Sequence, residues 1–249
     1  MKSITKKISL LLMLSAVLFL SSCLDSGSNS YIGNEEYSYI TSSQTSGIVY
    51  ARTIAGYMIT SPKIQQLTPG TAAFLTYQVT DETPTVVVEE GATAFKVNLG
   101  AEPKTIERTI LFPSNAPEAP IVKFENLMEP VFARNDFFGD LWLFPYTYSI
   151  KKGENVNVTF HKAEQSESDV NSNYIIIDVR MTVTGTPEEN ASSEIKGDYI
   201  TVNMSSLRMT SAQDADVSGN LNIKFRFYRS DHDGLYTSNK MYSMLIDKE

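Results

Sequence analysis

Cysteine and histidine are nearly missing from this chain: its 249 residues carry one cysteine, Cys23, and two histidines, His161 and His232. A single cysteine excludes an internal disulfide and a thiolate-rich metal cluster. Positive charge is short as well. Lys and Arg number 21 against 29 Asp and Glu, a formal charge of −8. An acidic surface repels phosphates, so nucleic acid is discarded as a partner. Beyond residue 20 no apolar run reaches the length of a membrane-spanning helix. No apolar spacing supports an amphipathic helix longer than a turn or two, and 135–140 is the one stretch where a short helix is expected. No internal repeat is evident.

What is present begins at the amino terminus. Lys2, Lys6 and Lys7 precede an apolar run from Ile8 to Leu20. That is the charge and length of a signal peptide, and it is short for a membrane span. The run ends in Leu20-Ser21-Ser22-Cys23, which reads as a lipobox. Residues 1–22 are therefore expected to be removed and Cys23 to be lipid-modified, which also disposes of an otherwise unpaired thiol in an oxidising periplasm. Two or more acyl chains suffice for stable anchoring, so the membrane is the first expected partner. The removed segment holds three lysines and no acid, which leaves the mature chain more acidic than −8.

Residues 23–46 are rich in Ser, Gly and Asn and read as a flexible tether. Tyr31, Tyr37, Tyr39 and Ile40 are apolar for a linker, so part of the stretch is a candidate edge strand. A first block, 47–112, contains short alternating runs. In Ala73–Thr80, for example, Leu75, Tyr77 and Val79 oppose Thr76, Gln78 and Thr80. Gly56 inside a β run marks a bulge or bend. Ile106, Ile110 and Phe112 share one side of a last strand. Four or five coiled strands in this span fit a small OB-like barrel. Pro113, Pro117 and Pro120 then favour an extended connector, and the domain boundary is placed there.

The second block, 121–249, alternates more clearly. Trp142, Phe144, Tyr146, Tyr148 and Ile150 share a face; Val156, Val158 and Phe160 share another. Ile175 to Val183, Ile200 to Met204, Leu221 to Phe227 and Met241 to Ile246 follow the same rule, with Gly-, Asn- and Asp-bearing turns between them. One-sided alternation along successive strands is the pattern of an antiparallel β-sandwich. The expected fold is all-β: a small OB-like barrel followed by a larger sandwich.

The lipobox, the Gly47-Ile48-Val49-Tyr50 and Ile59-Thr60-Ser61-Pro62 stretches leading to Leu67-Thr68-Pro69-Gly70, and the strand-rich Leu141–Thr184 segment resemble the NigD-like lipoproteins of Bacteroides-type bacteria. The resemblance implies an OB-type barrel plus sandwich and a cell-envelope lipoprotein of unknown activity, with a loose link to bacteriocin loci. It brings no catalytic residues. Members of the family often carry an acidic run after the lipidated cysteine. Here only Asp25 stands close by, which speaks against surface display.

The chemistry-bearing residues are few. His161 falls on the polar face of a strand and His232 in a loop, and nothing in their spacing demands a metal site or an acid–base pair. No nucleophile elbow is present. Asp231-His232-Asp233-Gly234 lacks the further oxygen ligands of a calcium loop. The densest aromatic stretch is 137–146. Exposed, Phe137, Phe138 and Trp142 would form a stacking platform for a sugar ring; buried, they would make a core strand, as apolar Leu141 and Leu143 on the opposite side suggest. No catalytic residue, metal or cofactor is assigned. The expected function is a non-catalytic binding or scaffold module of the envelope, anchored most simply in the outer membrane with its leaflet open, and its partner a protein or a glycan. Two other classes compete. One is a fimbrial or adhesin-type subunit, against which Arg52 argues, being the first arginine after Cys23 and lying inside an expected strand. The other is a hydrolase built on the histidines.

Overall fold

The computed structural model describes residues 29–118, 122–132, 137–164 and 173–246. The expected signal peptide, 1–22, and Cys23 lie outside the described residues. Fifteen strands carry the described fold: β1 (Ser30–Ser42), β2 (Val49–Thr53), β3 (Met58–Thr60), β4 (Ala72–Thr80), β5 (Thr85–Glu89), β6 (Ala92–Lys96), β7 (Lys104–Phe112), β8 (Phe124–Leu127), β9 (Leu141–Lys151), β10 (Glu154–Lys162), β11 (Ile175–Gly185), β12 (Ser193–Asn203), β13 (Asn220–Tyr228), β14 (Leu235–Thr237) and β15 (Tyr242–Leu245). One short helix, α1 (Ser206–Thr210), precedes β13. The helix expected at 135–140 is not seen in its described part, 137–140, which is turn and bend.

The amino-terminal strands follow the order β4-β1-β2-β3-β6-β5. Residues 30–42, expected as tether with part of it an edge strand, instead form β1, an interior strand between β2 and β4. Tyr37, Ser38 and Ile40 are buried along it. A bulge between Gly33 and Glu36 interrupts the alternation, so the strand has no clean period for a sequence reading to find. The bulge aims Glu36 inward, where its carboxylate accepts from Tyr31 Oη (2.9 Å), Tyr77 Oη (3.1 Å) and the Ala55 N–H (2.9 Å). A side chain on Gly33 would collide with the Tyr77 ring and the Glu36 carboxylate. The ring of strands returns to β4 through the isolated Tyr77–Leu99 bridge and the Gly100 N–H to Thr76 carbonyl bond (2.8 Å). No continuous ladder closes the expected barrel. Gly56 (φ +94°) lies in the turn between β2 and β3 rather than in a strand.

The carboxy-terminal strands make two facing sheets. One is β8-β9-β12-β7 and the other β7-β10-β11-β13, with β14 and β15 on β13. The shared face of Trp142, Phe144, Tyr146, Tyr148 and Ile150 packs on Val158, Phe160, Ile177, Phe225 and their neighbours. Phe144 lies 4.8 Å from Phe160 and 4.9 Å from Phe225, ring centre to ring centre. This is the expected sandwich, but not purely antiparallel: β7 pairs in parallel with both β10 and β12, and β11 with β13.

β7 is the hinge of the whole arrangement. Lys104–Ile106 pairs with β4, Glu107–Ile110 with β12, and Leu111–Phe112 with β10. A third cluster fills the joint: Tyr37, Ala72, Ile106, Phe138, Leu141 and Leu143. Phe138 is fully buried there, its ring 4.9 Å from that of Tyr37. Truncating it empties a site lined by both halves, so Phe138→Ala is expected to cost about 3–5 kcal/mol. Denaturant titration of the purified protein checks this.

Candidate functional site

The aromatic stretch is core. Trp142 is 1% exposed and stacks on Phe132 at 3.8 Å, in the centre of the sandwich. Phe138 fills the joint described above. A sugar-stacking role for these two therefore does not hold: Trp142 on β9 is enclosed in the sandwich core, and Phe138, in the turn before β9, is enclosed in the joint cluster. Phe137 is half-buried. The Arg52 guanidinium sits 5.6 Å from its ring centre and donates to its carbonyl (3.1 Å). Arg52 also donates to Tyr50 Oη (3.1 Å) and pairs with Glu89 (3.2 Å), tying β2 to the turn before β9. If Trp142 is core, Trp142→Ala should lower stability by about 3–5 kcal/mol, read as a shift in the denaturant midpoint.

A polar stripe crosses the outer face of the second sheet. His161 on β10 lies opposite Asp178 on β11, and Asp178 lies opposite Arg226 on β13. Asp178 is 4% exposed. Arg226 grips it with two bonds (2.7 and 2.9 Å), and Arg180 stands at 3.3 Å. A buried carboxylate demands such partners. His161 stacks on Phe112 and is held at Nδ1 by the Ser114 carbonyl (3.2 Å) and at Nε2 by Thr159 Oγ1 (3.1 Å). The connector after β7 thus lies along the sheet. Burial holds the His161 pKa below the usual value; the Ser114 carbonyl and Asp178 oppose that, and Arg180 reinforces it. The unfolded chain binds the proton first, so the contribution of His161 to stability is complete above about pH 6.5 and is lost as pH falls through its lower native pKa. Unfolding measured from pH 8 to 5 should show this loss, and His161→Gln should flatten the profile.

His232 lies elsewhere, in the turn after β13, edge-on to Tyr236 at 5.5 Å. No hydrogen bond or ring contact joins it to His161. Asp231 beside it pairs with Arg229 (2.8 Å), which itself covers the Tyr236 ring at 4.3 Å. Among the described residues no group of three or more His, Cys, Asp or Glu is placed to hold a metal ion.

A cleft of about 510 Å³ lies where the ends of β7 and β10 meet α1 and the 3-10 turn Ala212–Asp214. Leu111, Pro113, Ala163 and Leu207 give it an apolar floor, and Glu164, Thr210 and Gln213 a polar rim. Lys162 at its wall is already engaged: its ammonium donates to Ser211 Oγ (2.6 Å) and the Thr210 carbonyl (3.5 Å), with Asp214 at 3.4 Å. The lining holds no His, Cys or Tyr. It can take a small or linear apolar group with hydrogen bonds at the rim. This cleft escaped the sequence reading because it joins segments about 50 or 100 residues apart, and no local signal in any one of them marks it.

No protein-family model matches the sequence, and no curated protein does. Solved structures do. An uncharacterised protein from Parabacteroides merdae superposes with a TM-score of 0.60 at 10% identity, covering 88% of this chain and 100% of the other. A putative lipoprotein from Bacteroides fragilis gives 0.50 at 14% identity, covering 88% and 99%. A NigD-like immunity protein from Bacteroides caccae also matches, at 11% identity and 0.47, covering 85% and 96%. At these identities the likeness establishes a common two-part β fold, not a common activity.

Proposed function

We propose that the protein is a lipid-anchored component of the cell envelope whose β modules bind a partner rather than catalyse a reaction. The observation that carries the anchoring is Leu20-Ser21-Ser22-Cys23 at the end of the Ile8–Leu20 run. The fold shared with a Bacteroides fragilis protein described as a putative lipoprotein agrees with it. The acyl chains on Cys23 hold the protein in the outer membrane, and the partner is an envelope protein or a glycan.

The binding role is supported by how the polar residues are used. His161, Asp178 and Glu36 lie apart from the cleft, and each is engaged by partners that tie strands and loops together. The 510 Å³ cleft offers an apolar floor for a ligand. The fimbrial alternative fares worse. Many subunits of that type are processed after an arginine in the first strand region; here cleavage after Arg52 would remove β1, the strand between β2 and β4, and most of β2.

In the native host, an alkyne analogue of palmitate should label the full chain, and the protein should fractionate with the outer membrane. Cys23→Ala should abolish both. An unmodified amino terminus at Met1 on the wild-type protein would contradict the reading.

A further inference from the structure

β12 has two unequal halves. Ile200–Asn203 is flanked by β9 on one side and β7 on the other. Ser193–Tyr199 has β9 alone. Among the described residues no strand lies along its other edge, because β7 leaves β12 at Glu107 and joins β4. Every side chain from Ser193 to Tyr199 is exposed, Ile195 at 70%.

The direction of the backbone groups follows from Pro145. It lies opposite Tyr199 in the β9–β12 ladder, and its carbonyl accepts from the Met128 N–H on the far side (3.0 Å). Pro145 and Tyr199 are therefore a non-hydrogen-bonded pair. By alternation, the N–H and C=O groups of Ser193, Ile195 and Gly197 point off the open edge. The Tyr199 N–H points the same way but is taken by Asp198 Oδ1 (2.7 Å), which ends the open stretch.

We propose that this edge pairs with the same edge of a second copy of the chain, antiparallel and centred on Ile195. A two-fold pairing of identical strands sets residues symmetrically about its centre. Centred on Lys196, it would set Lys196 against itself and Glu194 against Asp198. Centred on Glu194, it would set that carboxylate against itself. Centred on Ile195, it sets Glu194 against the partner's Lys196 twice over, and Ile195 against the partner's Ile195. Ser193 then faces the partner's Gly197, and the outward groups of Ser193, Ile195 and Gly197 exchange hydrogen bonds with their equivalents. The charged residues fall on non-hydrogen-bonded pairs, where cross-strand Cα atoms approach to about 4.5 Å. Within one copy Glu194 and Lys196 already meet at 2.7 Å, so both side chains project from one face and can be shared across the axis. A lysine on an edge normally repels stray strands. Opposite a glutamate in one register, it selects that register.

The test uses the full chain, with tagged and untagged copies co-expressed and purified in mild detergent. A tagged wild-type copy should retain the untagged one. E194K alone sets lysine against lysine and K196E alone sets glutamate against glutamate, so each should reduce retention about tenfold. Tagged E194K with untagged K196E restores opposite charges at both pairs and should recover wild-type retention. All these side chains are exposed, and circular dichroism verifies that the variants fold. The proposal is overturned if wild-type copies do not co-purify, if either single variant is retained as well as wild type, or if the mixed pair fails to recover.

Discussion

One strand with three neighbours holds this protein together. Along β7 the backbone bonds pass from β4 to β12 to β10. Backbone donors and acceptors buried away from water must be paired, so the strand cannot leave one half without orphaning groups in the other. Its side chains record the transfer. Ile106 is buried in the joint with Tyr37 and Phe138, Ile110 is exposed, and Leu111 is buried in the sandwich core. The burial phase shifts from even to odd residues within one strand, because the strand turns from one core to the next. The proline-bearing connector follows this strand, and its start lies against the second sheet through Ser114 and Asn115.

The same economy governs the buried polar groups. Glu36 is aimed inward by a bulge and is met by two tyrosine hydroxyls and a backbone N–H. Its charge and the burial around it push Tyr31 up to about 12, burial being the larger cause. Asp178 sits under Arg226 and Arg180. Removing one partner from such a group costs more than the pair contributes, because the remaining charge is left desolvated. These residues fix strand register and bulge position. The proposed binding role rests instead on surface features, the apolar cleft beside α1 and the open edge of β12.

Much of this fold was legible in the sequence, and the failures share a cause. Strands β4, β9, β10, β11 and β13 lie within a few residues of where alternation placed them, since each has one face on a core; the opposite face is more open in all but the start of β9, where Leu141 and Leu143 are buried too. β1 was lost to its bulge and its Ser- and Gly-rich neighbours. β8 and β14, at four and three residues, are too short to show a period. The first half of β12 carries no buried side chain at all, so no hydrophobic pattern could announce it. The parallel pairings of β7 are long-range choices that no local signal encodes. At the aromatic stretch the apolar residues on both sides of Trp142 pointed correctly to burial. Phe138, outside any strand, gave no such sign, and its burial depends on Tyr37, about a hundred residues earlier.

If β7 and the Tyr37–Phe138 joint bind the two halves into one folding unit, they melt together. Differential scanning calorimetry of the wild-type protein measures this directly. A single transition whose van't Hoff and calorimetric enthalpies agree is the expected result. Two resolved transitions, or a calorimetric enthalpy well above the van't Hoff value, would show that the amino-terminal strands and the sandwich unfold independently and would contradict the account.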